Sequence, residues 1–476
     1  MNFGSIKYVY FLGIGGIGMS ALARFFKKAG KLVSGYDKTR TQLTSELEHE
    51  NMSIHYSIDV SLIPQEVLHP SSKNEVLIVW TPAIPDDHAE LLYFSENGYT
   101  IMKRAQVLGL IAAHTKTIAV GGTHGKTTTT TLTAHLLNST GVDCSAFMGG
   151  ISLNYNTNLL LSENLNSNTT ELKNALVVVE ADEYDRSFLW LNPFIAIITS
   201  VDSDHLDIYG TREAMLDAYR KFIQGIKDEG RLITKKSVID ALGLEKNERI
   251  ITYSITDENA DAKGFNISVR NGYYYFDYSF KGNVIRNIRV GLPGRHNVEN
   301  AVAAVTAAIS AGADSDKMAD ALSSFKGVKR RFEYIVRNEN VIYIDDYGHH
   351  PAEIKTAILS AKELFQGKTI KGIFQPHLFS RTKDFYQQFA ESLESLDEVV
   401  LMDIYPAREL PLEGVTSGLI IENISGTPAT WCKSEKEVLS EVEKGNYDVL
   451  MTMGAGDIDR LVEPIRMILE KKGGRG

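Results

Sequence analysis

The stretch that most constrains this chain is residues 117–133, which reads T-I-A-V-G-G-T-H-G-K-T-T-T-T-T-L-T. A β-branched apolar run, Ile118 to Val120, stops at two glycines, and a helix-compatible segment starts at Lys126. Between them lies Gly122-Thr123-His124-Gly125-Lys126-Thr127. A strand, a glycine loop and a Gly-Lys-Thr that opens a helix together form a phosphate cradle. The glycines let backbone N–H groups close on phosphate oxygens, and the helix N-terminus adds partial positive charge. Lys126 is placed to reach the outer phosphates, and the Thr127 hydroxyl can ligate Mg²⁺. The loop is a shortened form, G-x-x-G-K-T, because Val120 stands where the longer form has its first glycine. A plain glycine turn carrying a surface lysine is the alternative, and it leaves the order of strand, loop and helix unexplained.

At 476 residues the chain has room for about three domains of roughly 150 residues each. Its apolar and charged fractions, 43% and 23%, are those of an ordinary globular protein. The net charge of −10 gives no reason to expect a nucleic-acid or membrane surface, so an anionic ligand needs local cations. Cys144 and Cys432 are far apart and form neither a C-x-x-C pair nor a disulfide pattern, which suits a reducing cytoplasm. The apolar run at residues 8–12 is too short for a secretory signal, and no stretch is long enough to span a membrane. Residues 161–174, rich in Asn and Ser, read as one exposed loop.

Ahead of the cradle, residues 7–12 read as a strand, followed by Gly13-Ile14-Gly15-Gly16-Ile17-Gly18 and a helix through Lys28. Residues 31–36 read as a second strand ending at Asp37. Gly13, Gly15 and Gly18 fit G-x-G-x-x-G with an acid about 20 residues on, the pattern of a dinucleotide loop and its ribose-binding carboxylate. The physics supports a diphosphate on this helix N-terminus, and both NAD and a nucleotide sugar satisfy that. Residues 76–80 form another strand, ending in the stiff loop Thr81-Pro82-Ala83-Ile84-Pro85.

Beyond the cradle, residues 175–179 and 194–199 are continuous apolar runs, as buried parallel strands require. The first ends at Glu180-Ala181-Asp182-Glu183 and the second at Asp202-Ser203-Asp204-His205. Carboxylates and a histidine at strand ends beside a phosphate loop are candidate Mg²⁺ ligands, and Glu180 and His205 are singled out. A helix-capping acid and a structural histidine are the plainer readings of those two residues. Residues 231–290 shift to short β segments. Pro293-Gly294-Arg295-His296-Asn297 then opens an alanine-rich helix, where Asn297 can read a nucleobase edge flanked by His296, or simply cap the helix.

From residue 327 a basic cluster, Lys329-Arg330-Arg331, precedes a strand at 341–344 that ends in Asp345-Asp346-Tyr347-Gly348-His349-His350. Hydrogen-bonding roles suit the adjacent histidines better than metal ligation. Strands at 369–374, 398–402 and 447–452 end at Gln375-Pro376-His377-Leu378, Asp403-Ile404-Tyr405-Pro406 and Met453-Gly454-Ala455-Gly456. Alternating strands and helices make another parallel α/β unit. Three α/β units with polar clusters at their strand ends suit a ligase that activates a carboxylate with ATP and then adds an amine.

Eight motifs in order carry a resemblance to the Mur ligases of peptidoglycan synthesis. They are G-I-G-G-I-G-M-S at 13–20, G-T-H-G-K-T-T-T-T at 122–130, E-A-D-E-Y-D-R-S-F-L at 180–189 and D-H-L-D at 204–207. P-G-R-H-N at 293–297, R-R-F at 330–332, D-D-Y-G-H-H-P at 345–351 and D-I-Y-P-A-R at 403–408 complete the set. The resemblance implies an α/β protein of three domains. A Rossmann-like domain at 1–110 would bind a UDP-sugar, a P-loop ATPase-like domain at 111–326 would bind ATP, and a Rossmann-like domain at 327–476 would bind an amino acid. The first motif and D-D-Y-G-H-H-P point to the member that adds L-alanine to the lactyl carboxylate of UDP-N-acetylmuramate. That reaction uses ATP and Mg²⁺ in the cytoplasm, with no nucleic-acid or membrane partner, in a monomer or homodimer.

By the same resemblance, Gly122, Thr123, His124, Gly125, Lys126, Thr127 and Thr128 hold the ATP phosphates. Thr127, Glu180 and His205 surround Mg²⁺. His296 and Asn297 hold adenine, while Arg331 and Asp346 serve the γ-phosphate and ribose. Lys126, Glu180, His205 and Arg331 are the implied catalytic group. Gly13, Gly15, Gly16, Ile17, Gly18 and Asp37 hold the uridine diphosphate, which removes the NAD reading. Tyr347, His350, His377 and Arg381 line the side of the amino acid and carboxylate. The chain departs from the family at Leu378, where members often carry Arg, leaving Arg381 or Arg408 for that contact. It has Ser200 near a position where many members carry Asn, and Tyr219-Arg220-Lys221 offers no counterpart of the carboxylated lysine of sibling enzymes. A recycling ligase that adds a tripeptide to the same nucleotide sugar is the neighbouring reading, and an NAD-dependent oxidoreductase a distant one.

Overall fold

In the computed structural model, which describes residues 3–165, 172–202, 206–270, 272–407 and 409–473, the apolar runs become strands of three separate sheets. The first sheet holds β1 (Tyr8–Leu12), β2 (Leu32–Tyr36), β3 (Ser53–His55), β4 (Val76–Trp80) and β5 (Thr100–Lys103). Its order is β3-β2-β1-β4-β5 and every pairing is parallel. The order therefore reverses between β1 and β4, and a ligand crevice opens at such a switch point, outside the carboxyl ends of the strands.

The second sheet contains β6 (Lys116–Gly121), β7 (Cys144–Ser152), β8 (Thr157–Leu160), β9 (Leu176–Glu180), β10 (Ile195–Ile198), β11 (Arg231–Thr234) and β12 (Ile250–Ser254). It continues with β13 (Ala262–Arg270), β14 (Tyr273–Phe280) and β15 (Asn283–Val290). Its order is β15-β14-β13-β12-β11-β10-β6-β9-β7-β8. β6, which carries the phosphate loop, lies between β9 and β10 in parallel register. The third sheet holds β16 (Glu333–Arg337), β17 (Ile342–Asp346), β18 (Ile370–Phe374), β19 (Glu398–Met402), β20 (Ala429–Cys432) and β21 (Val449–Met453). Its order is β16-β17-β21-β18-β19-β20, with only β16 antiparallel. The fold class is thus the α/β class expected from the sequence.

By contacts the chain divides into two units. One comprises Met1–Gly264, Tyr278–Ile285 and Asn300–Ala321, and the other Phe265–Asp277, Arg286–Glu299 and Leu322–Gly476. The first sheet and strands β6 to β12 of the second share the core of the first unit. Phe25, on the helix Ile17–Lys28, meets Phe147 of β7 with ring centroids 5.4 Å apart, and both are buried. The helix Arg104–His114 runs across residue 110 and joins the same core through Val107 and Ile111. Burying each such side chain contributes about 1.5–3 kcal/mol, so the first two segments are held together by apolar packing.

Local propensity alone does not explain the helix Lys126–Ser139. It opens on five consecutive threonines, which are β-branched and poor helix formers. Thr129, Thr130 and Thr131 are fully buried, and Thr133 donates its hydroxyl to the Thr129 carbonyl at 2.7 Å. Tertiary burial holds this helix in place. The expected exposed loop at 161–174 is only partly so. Leu165 and Leu172 are buried, and residues 166–171 lie outside the described set.

Candidate active site

The first glycine loop is shaped by the end of β2. Gly13 N–H and Ile14 N–H donate to the Tyr36 carbonyl at 2.8 and 3.1 Å. Gly15 N–H donates to Asp37 Oδ2 at 2.8 Å, and Thr39 N–H to Asp37 Oδ1 at 3.1 Å. Asp37, expected to face a ribose, thus uses its carboxylate to fix the loop itself. Gly15 is required sterically, since a Cβ there would lie 2.6 Å from Thr44 Cγ2 and 2.8 Å from Asp37 Oδ2. The loop leads into the helix Ile17–Lys28, whose first-turn N–H groups have no partners within the helix.

Two cations absent from the sequence-derived set accompany this loop. Arg104 passes so close that a Cβ on Gly18 would stand 3.0 Å from its Cδ and 3.1 Å from its Nη1. Lys38 follows Asp37 directly. Both line a cavity of about 690 Å³ together with Gly13, Gly15, Gly16, Ile17, Gly18 and Asp37. The far side of the same cavity is formed by Phe147, Gly149, Asn158, Glu180 and Asp182. One chamber therefore runs from the first glycine loop to the carboxylate at the end of β9.

Glu180 connects this chamber to the phosphate loop, because Thr127 Oγ1 donates to Glu180 Oε1 at 3.1 Å. Gly149 of β7 leaves space on the other side, where a Cβ would fall 2.0 Å from Glu180 Oε2. A hydroxyl and a carboxylate so placed are the hard oxygen donors that suit Mg²⁺, which typically takes one or two carboxylates and completes its shell with phosphate oxygens and water. Among the described residues no group of three His, Cys, Asp or Glu side chains is gathered for a metal. His205, the expected third ligand, lies outside the described residues, as does Arg408.

Lys126 is held by acceptors of the protein itself. Its Nζ donates to the Gly122 carbonyl at 2.8 Å and to Glu183 Oε1 at 2.7 Å. Glu183 is fully buried, which pushes its carboxyl upward, while the Lys126 ammonium opposes that shift. The sequence motif E-A-D-E contains Glu183, but nothing in its spacing shows that it meets a lysine 57 positions away.

The rest of the phosphate loop is set by the end of β10. Thr123 N–H donates to the Ser200 carbonyl at 3.2 Å, and His124 N–H to Ser200 Oγ at 3.1 Å. Thr199 Oγ1 donates to the His124 carbonyl. Gly122, at φ +126°, admits this contact, since a Cβ there would lie 2.1 Å from Thr199 Oγ1. Gly125, at φ +79°, passes Asn300, whose Oδ1 would meet a Cβ at 2.8 Å. Thr128 is buried one residue beyond Thr127. Ser200, given no role in the sequence reading, is thus a loop-shaping residue.

The second unit gathers its own polar cluster. Arg330 Nε pairs with the buried Asp345 at 2.9 Å, and Arg330 Nη2 donates to the Gly454 carbonyl at 2.7 Å. This half-buried cation of the basic run is therefore tied to the interior through Asp345. Arg331 lies over the Tyr347 ring at 5.2 Å. Asp346 accepts N–H bonds from Phe332 and Gly348, both at 2.7 Å, and burial pushes its carboxyl up to about 6 against the pull of Arg331. His350 caps the helix Pro351–Leu364, and His349 Nδ1 lies 3.1 Å from the Tyr347 carbonyl, so both histidines have hydrogen-bonding roles.

His377 stacks on Tyr405 at 5.7 Å and lies 5.9 Å from His349. Burial, with His349 and Arg381 nearby, pushes His377 down to about 4, so it is neutral at pH 7. Among the described residues, His377 Nδ1 and Arg381 Nη1 are buried with no hydrogen-bond partner. Leu378 opens the helix Phe379–Leu393 at φ +73°, a conformation that costs a non-glycine residue of order 1 kcal/mol or more. Asn297 donates its side-chain amide to the Pro293 carbonyl at 2.6 Å, and His296 beside it is exposed.

Comparison with known proteins fits this arrangement. Residues 8–116 match the description "Mur ligase family, catalytic domain", residues 120–308 "Mur ligase middle domain", and residues 330–456 "Mur ligase, glutamate ligase domain". The UDP-N-acetylmuramate–L-alanine ligase of Phocaeicola vulgatus is 47% identical over 473 residues, covering 99% of this chain and 100% of that one. The ligase of the same description from Porphyromonas gingivalis W83 is 49% identical over 466 residues, covering 98% of this chain and 99% of its own. Among solved structures, the UDP-N-acetylmuramate–alanine ligase of Thermotoga maritima superposes with a TM-score of 0.72. It is 27% identical and covers 98% of this chain and 100% of that one.

Proposed function

The chain belongs to the Mur ligase family, and on that premise we propose that it joins L-alanine to the lactyl carboxylate of UDP-N-acetylmuramate at the expense of ATP, in peptidoglycan synthesis. The observation that carries the reading is the single chamber shared by the first glycine loop and Glu180. It can hold one elongated ligand with its diphosphate at one end and its carboxylate at the other.

The first helix N-terminus, Lys38 and Arg104 take the diphosphate. The sugar then extends toward β9, bringing the lactyl carboxylate to the side of Glu180 and Thr127. ATP phosphates lie on Gly122 to Thr128, and Lys126 exchanges Glu183 for a phosphate oxygen. Thr127 and Glu180 would hold Mg²⁺, with His205 as the third ligand; bound there, the ion neutralises charge on the transferred phosphoryl group. An oxygen of the lactyl carboxylate attacks the γ-phosphorus, ADP leaves, and an acyl phosphate remains. The alanine amine, having lost its extra proton, attacks the acyl carbon. The amide forms as inorganic phosphate departs. Positioning and charge neutralisation supply most of the acceleration.

The amino-acid side is assigned to Tyr347, His350, His377 and Arg381 of the second unit, where Arg381 Nη1, a donor with no partner among the described residues, suits a carboxylate. Arg331, Asp346, His296 and Asn297 are assigned to the nucleotide. No helix among the described residues is long and apolar enough to cross a membrane, and a cytoplasmic enzyme is the proposed setting.

The deciding assay is phosphate release from ATP and Mg²⁺ with UDP-N-acetylmuramate, adding L-alanine, glycine, L-serine or a tripeptide in turn. Release that requires both the sugar nucleotide and L-alanine supports the proposal. Release with tripeptide but not alanine moves the assignment to a recycling ligase.

A further inference from the structure

Under the carboxyl ends of β1 to β3 lies a row of buried polar side chains that the reaction does not use. It sits on the sheet face opposite the helix Ile17–Lys28. Tyr10 Oη is 2.6 Å from Glu90 Oε2 and 2.6 Å from His55 Nε2. Glu90 is fully buried. His88 is 4% exposed, and neither of its ring nitrogens has a hydrogen-bond partner among the described residues.

The row does not balance with an ionised Glu90 and a neutral His55. His55 Nδ1 is 2.9 Å from the Ser57 carbonyl, which can only accept, so Nδ1 carries a hydrogen. In a neutral ring Nε2 is then an acceptor. Tyr10 therefore stands between two acceptors with one hydrogen to give. Two contacts of 2.6 Å need two protons, and the second must come from a protonated Glu90 or a protonated His55.

The row is wired to the first glycine loop. The His55 carbonyl accepts Asp37 N–H at 3.1 Å, and the Asp37 carboxylate accepts Gly15 N–H at 2.8 Å. The Tyr36 ring lies between His55, at 5.6 Å, and His88, at 4.7 Å, and the Tyr36 carbonyl holds Gly13 and Ile14. We infer that the extra proton in the Tyr10–His55–Glu90 row positions this loop, so that losing it weakens the hold on the nucleotide sugar. The inference rests on the assignment of that loop to the uridine diphosphate.

The groups that act on Glu90 are Tyr10 from β1, Tyr36 from the end of β2, His55 from β3 and Asp59 from the turn beyond it, with His88 two residues before it in the chain. Burial pushes Glu90 up to about 7, opposed by the Tyr10 hydrogen bond, and pushes both histidines down. Glu90 is therefore the group that keeps the proton below neutrality and loses it above. Once Glu90 ionises, Tyr10 stays on the carboxylate and His55 Nε2 loses its donor. Affinity for the nucleotide sugar should therefore fall as pH rises through about 7.

The test is calorimetric titration of UDP-N-acetylmuramate into the full chain between about pH 5.5 and about pH 8.5, a range that spans the unperturbed histidine value. It is repeated with Glu90→Gln and Tyr10→Phe, with ADP as a second ligand on each. Glutamine supplies permanently the N–H donor that a protonated Glu90 offers. The expected result is a rise in Kd of about tenfold across this range for the natural chain, one hydrogen bond's worth. Glu90→Gln should stay flat at the tight value and Tyr10→Phe flat at the weak one, while the ratio of ADP affinities between variant and natural chain stays constant with pH. Parallel curves for the natural chain and Glu90→Gln overturn the inference. So does a flat curve for the natural chain, which decides the matter even if neither variant folds. Absence of nucleotide-sugar binding at every pH is a different outcome, and it removes the loop assignment along with the inference.

Discussion

The two glycine loops of the first unit have the same plan, a strand, a glycine turn and a helix, yet they are prepared for their ligands in opposite ways. The loop after β1 has its internal bonds complete, with Tyr36 and Asp37 holding Gly13, Ile14 and Gly15. Its cations, Lys38 and Arg104, stand on other segments. The loop after β6 carries its own cation, but Lys126 is engaged with Glu183 and the Gly122 carbonyl, and Thr127 with Glu180. A diphosphate can settle on the first loop with little rearrangement. A triphosphate on the second must exchange internal partners, so the second loop can respond to its ligand while the first mainly retains it.

The largest test of this contrast is Lys126→Ala. It should lower turnover by about a thousandfold or more, a loss in the range seen when a key electrostatic contact is removed. UDP-N-acetylmuramate binding should stay within about twofold, because that ligand is assigned to other side chains. Phosphate-release kinetics beside calorimetry would show it, and joint loss of both in a folded variant would merge the two loops into one site. Glu180→Gln should come next, with kcat down about a hundredfold and a raised Mg²⁺ requirement. An unchanged Mg²⁺ dependence would free Glu180 from the metal.

Gly15→Ala probes the rigid loop. With Thr44 and Asp37 within 2.8 Å of the new Cβ, overpacking should cost about 1–3 kcal/mol of stability, and the KM for the nucleotide sugar should rise while that for ATP does not. Thermal melting and steady-state kinetics read the two effects separately. The smallest effect is expected for Arg104→Gln. It should raise the KM for the nucleotide sugar about tenfold at unchanged kcat, the loss being greatest at low salt, as for one exposed charge-assisted contact. A salt-independent loss would mean that Arg104 packs against Gly18 without touching the diphosphate.

Much of the fold was legible because parallel strands are continuous apolar runs bounded by glycines or charges. The strands at 76–80 and 398–402 were delimited from sequence as they stand in the structure. Short or half-exposed strands were missed, among them Ser53–His55 and Thr157–Leu160, whose few residues carry too little periodicity. In the site, contacts made across strands were not legible in the sequence. Ser200 reaches His124 over 76 positions and Glu183 reaches Lys126 over 57, with no spacing rule to join them.

What the sequence determined by itself is what local chemistry determines. Gly-Lys-Thr after a β-branched run can serve little but a phosphate, and its glycines supply the backbone freedom that such a loop needs. What only the tertiary structure decided is which charges face each other. Asp37 reads as a ribose ligand in sequence and turns out to tie down Gly15. Arg330 reads as one cation of a basic run and turns out to be the partner of the buried Asp345. Glu90, with no motif around it, shares a proton with Tyr10 and His55. These outcomes follow from strand order, because strand pairing brings side chains that are distant in sequence within about 3 Å, and burial then strengthens their pairing.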